Sequence, residues 1–387
     1  MKAVGLVAEF NPLHFGHELA LQQARRQADA DVVVVIMSGN YVQRGEPAIL
    51  DKWQRTQLAL DAGADLVIEL PLTDSVQAAE DFAAGALAYL SALNVSTLAF
   101  GTEDASLDYA ALAQRILDAK PAASAFKDYR QTYASQVNHY FHQLTGQDLT
   151  APNTILGLTY AQANAALERP LALLPFNRVG VAHDADQVSG HYVSASAIRQ
   201  AVWSDTPITG APRQTIQALQ QPQPLQWRTS LFSLLKYRLQ TARLSELQQI
   251  YTMAEGLEYR LSQQINACQD FTGFLQAIKS KRYTYARLRR LALYTVLNLT
   301  GDEVMAARTQ RVLHVLGFSA AGQAYLRQEK KHLAMPLMTK VSRPMLAPDG
   351  PLALVQRGDQ LLQTYGLAEQ NFGRPPIRLS HERKEGV

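Results

Sequence analysis

Two histidines near the start of the chain flank a single glycine in a pattern that could bind an anion. The segment is His14-Phe15-Gly16-His17, and it follows an apolar run that ends at Asn11-Pro12. A helix N-terminus presents free N–H groups and the positive end of its dipole, and glycine lets a phosphate approach the backbone closely. Both histidines, one turn apart, can donate to the same anion. The pattern predicts a phosphate-binding turn.

The H-x-G-H pattern has a second interpretation, in which the histidines are solvated or one of them caps the helix. The surrounding sequence favours the functional interpretation. Residues 4–8 predict a buried strand, and the residues after the motif predict an amphipathic helix to about Asp29. The motif thus lies at a junction of strand, turn and helix, which is the setting an anion site needs.

Apolar runs alternate with helical patterns through the first 200 residues. Strands are also predicted at 31–37, 64–71, 96–100 and 171–175, and helices at 51–63, 78–92, through most of 107–150, and at 152–166. This alternation predicts an α/β fold with a doubly wound parallel sheet. Ligands bind such sheets at the carboxyl ends of the strands, where the chain carries its histidines, residues 38–40 and Gly101.

The pattern changes beyond Trp203. Residues 205–226 are rich in Pro, Thr and Gln and predict a linker, so we divide the chain into an α/β domain at 1–204 and a mainly α-helical domain at 205–387. Helices are predicted at 228–240, 244–267, 270–279, 283–299, 302–316 and 319–329. The tail after Gly373 is expected to be frayed.

The net charge of +3 conceals opposite balances in the two halves. Residues 1–200 carry 13 basic and 21 acidic side chains, whereas residues 201–387 carry 24 and 13. The basic excess is concentrated in residues 279–345, with 13 basic and 3 acidic side chains. Such an excess is typical of a surface that binds a polyanion, although a solvated helical surface would have a similar balance.

Composition and missing motifs exclude several classes of protein. No apolar stretch approaches the length of a membrane span, and the single Cys268 excludes an internal disulfide, so we expect a cytoplasmic globular protein. The chain has no P-loop, dinucleotide-binding, zincin or lipase motif. His183, Asp184, Asp186 and His191 match no standard metal site, and no metal-binding residues are predicted.

A second motif, Ser194-Ala195-Ser196-Ala197-Ile198-Arg199, follows the last predicted strand of the α/β domain. Together with H-x-G-H it resembles a nucleotidyltransferase superfamily, in which a hydroxyl residue often stands where this chain has Ala195. Further segments resemble the bacterial tRNA(Met) cytidine acetate ligase family. They are Glu9-Phe10-Asn11-Pro12, Met37-Ser38-Gly39-Asn40, Gln43-Arg44-Gly45-Glu46-Pro47-Ala48, Asp51-Lys52-Trp53, Gly63-Ala64-Asp65, Glu69-Leu70-Pro71, Phe100-Gly101-Thr102-Glu103 and the stretch from Lys279 to Arg290.

The resemblance implies an ATP-dependent enzyme that forms acetyl-adenylate from acetate and acetylates N4 of the wobble cytidine of elongator tRNA(Met). The implied ATP-binding residues are Val7, Ala8, Glu9, Phe10, Asn11, Pro12, Leu13, His14, Phe15, Gly16, His17, Glu18, Leu19, Ala20, Gly101, Asn153 and Arg178. From the residues alone, Gly101 is equally compatible with a strand end, Asn153 with a helix cap and Arg178 with a surface ion pair.

We assign the catalytic role of stabilising the triphosphate to His14, His17 and Arg199, with Mg²⁺ bridging the phosphates without a protein cage. Ser38, Gly39 and Asn40 are expected to line a small acetate pocket. The predicted tRNA-binding residues are Lys279, Lys281, Arg282, Arg287, Arg289 and Arg290. They interleave with Tyr283 and Tyr285, a mixture suited to phosphate contact and base stacking, unless these tyrosines belong to the core.

Two other functions remain open. A nucleotidyltransferase that adenylylates a small phosphorylated metabolite would explain the first 200 residues, but not the basic half of the chain. A non-catalytic tRNA-binding protein would explain the basic half, but not the intact pair of histidines. We expect neither a membrane nor an obligate protein partner.

Overall fold

The computed structural model describes residues 1–119, 142–143, 151–178, 192–221 and 227–379. Ten strands lie in these ranges. They are β1 (Ala3–Ala8), β2 (Val32–Ser38), β3 (Tyr41–Val42), β4 (Glu46–Pro47), β5 (Leu66–Leu70), β6 (Thr97–Thr102), β7 (Ala172–Asn177), β8 (Leu313–Phe318), β9 (Leu337–Met338) and β10 (Ile377–Arg378).

Eight of these strands form one mixed sheet, in the order β10-β8-β5-β2-β1-β6-β7 with β9 paired to β8. The five strands from β5 to β7 are parallel, and β1 pairs with β2 from Ala3↔Val32 to Ala8↔Met37. All seven residues of β2 are buried, as its continuous β-branched run predicts for a central parallel strand. Because the strand order reverses at β1, the β1–β6 crevice is where a ligand is expected.

Helices cover both faces of the sheet and continue into a helical region. They are α1 (Phe15–Ala28), α2 (Lys52–Asp61), α3 (Leu72–Ser75), α4 (Ala79–Ala92), α5 (Tyr109–Ala119), α6 (Pro152–Ala165), α7 (Ala195–Trp203), α8 (Arg213–Leu219), α9 (Trp227–Thr241), α10 (Leu244–Gln248), α11 (Leu257–Gln264), α12 (Phe271–Ile278), α13 (Tyr285–Leu297), α14 (Gly301–Thr309), α15 (Ala320–Glu329), α16 (Arg343–Leu346) and α17 (Ala353–Thr364), with a 3₁₀ turn at Ile265–Ala267.

Three large apolar cores support this architecture. Helices α4, α5 and α6 pack against one face of the sheet, and α1, α2 and α8 contribute to the core on the other face. The third core joins α9 to α14 and includes Tyr41 and Val76 from the first half of the chain. The helical region therefore packs directly on the α/β part.

The predicted α/β fold is confirmed, and its five parallel strands lie within two or three residues of the predicted bounds. Of the predicted helical stretch 107–150, α5 and residues 142–143 are helical, and the remainder lies largely outside the described residues.

The prediction of one helix at 302–316 is wrong beyond Thr309. Residues 313–318 form β8 instead, which is buried along its whole length and runs antiparallel to β5. A short apolar run fits a buried helix and a buried strand equally well, and only its pairing partner decides. The second half of the chain is mainly helical, but it also extends the sheet.

Three smaller predictions also need correction. The predicted linker at 205–226 contains α8, whose Leu219 is buried in a sheet-face core. The predicted helix at 244–267 breaks between α10 and α11, where Thr252, Glu255 and Gly256 have positive φ. The tail is ordered at 377–378, where β10 pairs with β8. The boundary at 204/205 stays a prediction.

No described helix combines the length and the apolar character that crossing a membrane requires.

Candidate nucleotide site and basic surface

The residues between β1 and α1 form a compact turn, which we call the histidine turn (residues 9–17). His14 is the N-cap of α1, and its carbonyl accepts from the backbone N–H of His17 at 2.8 Å. The two imidazole rings stack, with 3.8 Å between centroids, and His17 also meets the ring of Phe10 edge-on at 5.0 Å. Both predicted catalytic histidines therefore lie together at the carboxyl end of β1.

Gly16 is needed because the His14 ring lies over its α-carbon. A Cβ at this position would stand 2.8 Å from Cε1 and 3.0 Å from Nδ1 of His14. Such separations are well inside van der Waals contact, so any larger residue would displace the ring. Gly16 thus leaves room for the His14 ring, and it also lets a ligand approach the backbone closely.

Both histidines are uncharged at neutral pH. Burial, helped by the nearby Arg178, lowers the pKa of His14 to about 4. Burial also holds the pKa of His17 well below its usual value, with smaller contributions from His14 and Arg178. The backbone N–H of His14 donates to Nδ1 of His17 at 3.4 Å, so the ring proton of neutral His17 lies on Nε2. His17 is therefore a neutral N–H donor.

A second group of predicted ATP-binding residues lies at the ends of β6 and β7 and the start of α6. A Cβ on Gly101 would stand 3.1 Å from Cγ of Arg178, and Nη1 of Arg178 donates to Oδ1 of Asn153 at 3.3 Å. Burial lowers the pKa of Arg178, although it stays a cation at neutral pH. Gly101, Asn153 and Arg178 are thus brought together. Because β6 pairs in parallel with both β1 and β7, this group and the histidine turn lie at the same edge of the sheet.

Sequence reasoning missed Glu103, which orders this second group. Its carboxylate accepts from Nδ2 of Asn153 at 2.6 Å and from the backbone N–H of Thr154 at 2.7 Å. Burial alone would raise the pKa of Glu103, but these hydrogen bonds hold it below its usual value. Glu103 belongs to the segment Phe100-Gly101-Thr102-Glu103. The sequence signal that could have identified it is an acidic residue three positions after the last apolar residue of the strand.

Arg199 is the third predicted catalytic residue, and the structure places it against the histidine turn. It lies on α7, whose N-cap Ser194 accepts from the backbone N–H of Ala197. Its Nη1 donates to the carbonyl of Asn11 at 2.6 Å. The Ser194–Arg199 motif thereby contacts the histidine turn, which contains the H-x-G-H motif.

A buried arginine that sequence reasoning did not select holds the turn to the neighbouring strand end. Arg55 is fully buried, and its guanidinium donates to the carbonyls of Glu9 at 2.7 Å, Ser38 at 2.9 Å and Gly39. Burial lowers the pKa of Arg55 to about 10, although nearby carboxylates, Asp51 first, oppose this change. The group stays charged and fixes the ends of β1 and β2 relative to each other.

The predicted acetate-pocket residues, Ser38, Gly39 and Asn40, follow β2 and are linked to the turn through Arg55. Ser38 is fully buried, and its hydroxyl has no hydrogen-bond partner among the described residues. The amide of Asn40 is occupied, since it accepts from the Lys52 backbone at 2.7 Å and donates to Asp359 at 2.8 Å. Their role in acetate binding stays a prediction.

A buried ionic network lies beneath this strand end and also escaped the sequence reasoning. Nζ of Lys52 contacts carboxylates of Glu69 at 2.6 Å and Asp359 at 2.9 Å, and His314 reaches the other oxygen of Glu69 at 2.6 Å. Lys52, together with His314, holds the pKa of Glu69 at about 2 against the effect of burial. The network joins α2, β5, β8 and α17, so it connects the second half of the chain to the sheet.

The six predicted tRNA-binding residues lie in the basic segment (residues 279–290), but their environments differ. Lys281 and Arg282 are exposed and line a cleft of about 350 Å³. Arg289 pairs with Glu46 at 3.3 Å, and Arg290 is half-buried and donates to the carbonyl of Gln43 at 3.3 Å. These last two arginines fasten α13 to the β3–β4 hairpin (residues 41–47).

The remaining members of the segment interact with its tyrosines. Nζ of Lys279 lies 5.5 Å from the ring centroid of Tyr285, and the guanidinium of Arg287 lies 4.7 Å from that of Tyr283. Tyr283 is buried in the helical core, whereas Tyr285 is 41 % exposed. Tyr283 therefore belongs to the core, and base stacking by Tyr285 stays a prediction.

Among the described residues there is no group of three or more His, Cys, Asp and Glu side chains able to hold a metal ion. His183, Asp184, Asp186 and His191 lie outside the described residues.

Known proteins are similar to this chain along nearly its whole length. The sequence profile of the HIGH Nucleotidyl Transferase family matches residues 1–372. The tRNA(Met) cytidine acetate ligase of Latilactobacillus sakei is 45% identical over 382 residues, which is 97% of each chain. The enzyme of the same name from Lactobacillus acidophilus is 45% identical over 384 residues, covering 98% of this chain and 100% of that protein.

Two solved structures of Thermotoga maritima TmcAL are similar over the whole fold. The apo form has a TM-score of 0.83 at 26% identity, and the form bound with alpha-thio ATP has a TM-score of 0.79 at 25% identity. Each comparison covers 98% of this chain and 100% of that structure. The chain therefore belongs to the tRNA(Met) cytidine acetate ligase family of HIGH nucleotidyltransferases.

Proposed function

We propose that the protein is an ATP-dependent ligase that acetylates N4 of the wobble cytidine, position 34, of elongator tRNA(Met). AMP and pyrophosphate are the other products. The observation that carries the proposal is the convergence of the histidine turn, Arg199 and the Gly101–Asn153–Arg178 group at one sheet edge. Relatives that align with 97–98% of this chain are named tRNA(Met) cytidine acetate ligase, which supports the proposal.

In the first step a carboxylate oxygen of acetate attacks the α-phosphorus of ATP, and the bond to pyrophosphate breaks. The protein's task is to position the reactants and to stabilise the negative charge of the triphosphate. We assign this task to the neutral N–H of His17, to His14, and to the cations Arg178 and Arg199. Preorganised N–H dipoles in a site that excludes water stabilise charge without losing energy to reorientation.

The acetate site that we propose lies at the end of β2. The Ser38 hydroxyl is buried without a partner among the described residues, so it is available to donate to a carboxylate oxygen. Arg55 holds the adjacent carbonyls in place. The methyl group of acetate needs only a small apolar space, which keeps larger carboxylates out.

In the second step the N4 amino group of cytidine attacks the acetyl carbonyl of acetyl-adenylate. A C–N bond forms, the bond from the carbonyl carbon to the AMP oxygen breaks, and N4 loses a proton. The anticodon loop is single-stranded, so its base can turn outward without opening a duplex. We place the reaction in the cytoplasm, where its tRNA substrate is found, and we propose that the basic segment binds that tRNA.

Mg²⁺ is part of the proposal as an ion carried by the phosphates. Substrate oxygens and water would supply most of its ligands, as is usual for Mg²⁺ on a nucleotide. It would neutralise charge on the triphosphate during attack.

The test is incubation of the pure protein with ATP, Mg²⁺, ¹⁴C-acetate and total tRNA. We expect label in N4-acetylcytidine and, without tRNA, acetate-dependent exchange of pyrophosphate into ATP. Absence of label from N4-acetylcytidine would refute the proposal. Exchange that depends on a phosphorylated metabolite instead of acetate would support the alternative nucleotidyltransferase.

A further inference from the structure

The surface between the histidine turn and the basic segment carries an exposed aromatic ring. Trp203 is the last residue of α7 and is 41 % exposed. It lies one helical turn after Arg199, whose guanidinium donates to the Asn11 carbonyl in the histidine turn. Residues four apart share a helix face, so the ring lies beside the nucleotide site.

A chain of charged contacts continues from Trp203 to the basic segment. The guanidinium of Arg228 lies 5.1 Å from the Trp203 ring centroid, and its Nη2 pairs with Oε1 of Glu46 at 3.3 Å. The same carboxylate oxygen pairs with Arg289 of α13 at 3.3 Å. Trp203 therefore stands on a continuous path from the ATP-binding turn to the helix proposed to bind tRNA.

The β3–β4 hairpin carries Glu46 of this path and packs closely against α13. Gly45 has a φ of +78°, and a Cβ there would stand 2.7 Å from the backbone nitrogen of Arg290. Gln43 donates its backbone N–H to Oε1 of Glu9 in the histidine turn at 2.9 Å. One short hairpin thus contacts both the catalytic turn and α13.

The tip of the hairpin adds an exposed cation. Arg44 is exposed. Burial is the main cause that lowers the pKa of Arg199, and the nearby cations Arg44 and Arg228 lower it further, whereas Glu9 opposes the change. An exposed indole ring with cations beside it suits single-stranded nucleic acid, because bases stack on the ring while the cations meet phosphates. A duplex would not offer unstacked bases to it.

We propose that Trp203 stacks on an unpaired base next to the target cytidine, while Arg44 and Arg228 contact the phosphates of the same strand. The path delivers the anticodon loop from the basic segment to the histidine turn. This inference rests on the proposed function, because it takes single-stranded RNA of a tRNA as the ligand.

The test compares Trp203→Ala with Trp203→Phe, and uses Tyr237→Ala as a matched control. Tyr237 lies on α9 and is 66 % exposed, so it tests the loss of an exposed ring elsewhere on the surface. We expect Trp203→Ala to raise the KM for tRNA roughly 5- to 150-fold, the range for losing one base stack. Trp203→Phe should restore most of the loss, and Tyr237→Ala should have no effect.

Acetate-dependent pyrophosphate exchange without tRNA separates this role from support of the nucleotide site. We expect all three variants to retain it. The chain has a third tryptophan, Trp227, which is half-buried, so fluorescence is measured in a Trp227→Phe background. The anticodon stem-loop should quench the tryptophan fluorescence of this background, and adding Trp203→Phe should remove the quenching, since Trp53 is buried. An unchanged KM and unchanged quenching, or a loss of exchange in Trp203→Ala, would overturn the inference. Failure of the wild type to acetylate tRNA would instead refute the proposed function.

Discussion

The histidine turn and the basic segment use polar side chains in opposite ways. In the turn, His14 is buried and His17 is half-buried, and their rings are stacked on each other and uncharged. In the basic segment, Lys281 and Arg282 are exposed and charged. One region relies on fixed dipoles away from water, and the other on charge presented to water.

This difference follows from what each region is proposed to do. Phosphoryl chemistry depends on donors held in place before the reaction, since each ångström of misplacement weakens transition-state stabilisation. RNA binding depends on summed attraction to phosphates, which tolerates side-chain motion and is shared among several residues. Single substitutions should therefore be severe in the turn and mild on the exposed part of the basic segment.

The largest expected effect is that of His17→Ala. Loss of one preorganised donor should lower the rate of acetate-dependent pyrophosphate exchange roughly 10²- to 10³-fold, with tRNA affinity unchanged. His332→Ala, at an exposed histidine after α15, is the control and should leave exchange intact. Exchange at the wild-type rate in His17→Ala would remove the histidine turn from the mechanism.

The uncharged state of the histidines predicts a particular pH dependence. The pKa of His14 is about 4 in the folded protein and 6.5 in the unfolded chain, so the unfolded state binds more protons between these values. The stability contributed by burying the neutral ring is present above pH 6.5 and is lost as pH falls toward 4, by about 3 kcal/mol. Chemical denaturation at a series of pH values should show this loss.

His14→Asn is the matched variant for the pH experiment, because an amide does not titrate. Its unfolding free energy should fall less between pH 6.5 and 4 than that of the wild type. An identical pH dependence in the two proteins would mean that His14 is not held neutral by the fold.

A smaller effect is expected from Gly16→Ala. The added methyl group must push the His14 ring aside, so exchange should fall roughly 10- to 100-fold, in line with the cost of misplacing a catalytic group. Gly301→Ala is the control, since a Cβ there meets nothing within 4 Å. Full activity in Gly16→Ala would show that the ring's position is not critical.

The smallest effects separate the two kinds of arginine in the basic segment. Lys281→Ala with Arg282→Ala should reduce the slope of log affinity for tRNA against log salt by about 1.5, without changing stability. Arg289→Ala with Arg290→Ala should instead lower the free energy of unfolding by about 1–3 kcal/mol, since Glu46 and the Gln43 carbonyl lose partners. If the two double variants have the same effects on the salt slope and on the free energy of unfolding, the proposed difference between these residues is wrong.

The local pattern of the sequence was sufficient for the α/β sheet and for the histidine turn. Strand and helix periods, the Asn-Pro turn and the isolated Gly16 are properties of adjacent residues, so they can be read without knowing the fold. The same reasoning failed at Leu313–Phe318, because a six-residue apolar run is decided by its partner, and here the partner is β5.

The sequence by itself determined which residues could do chemistry, through the H-x-G-H motif and the basic composition of residues 279–290. Only the tertiary structure decided that the histidines are neutral, that Arg55 and Glu103 order the site, and that Arg289 and Arg290 fasten a hairpin. The physical reason is that burial and ion pairing depend on groups distant in the chain: Lys52 meets Asp359, 307 residues away. Such contacts leave no local signal.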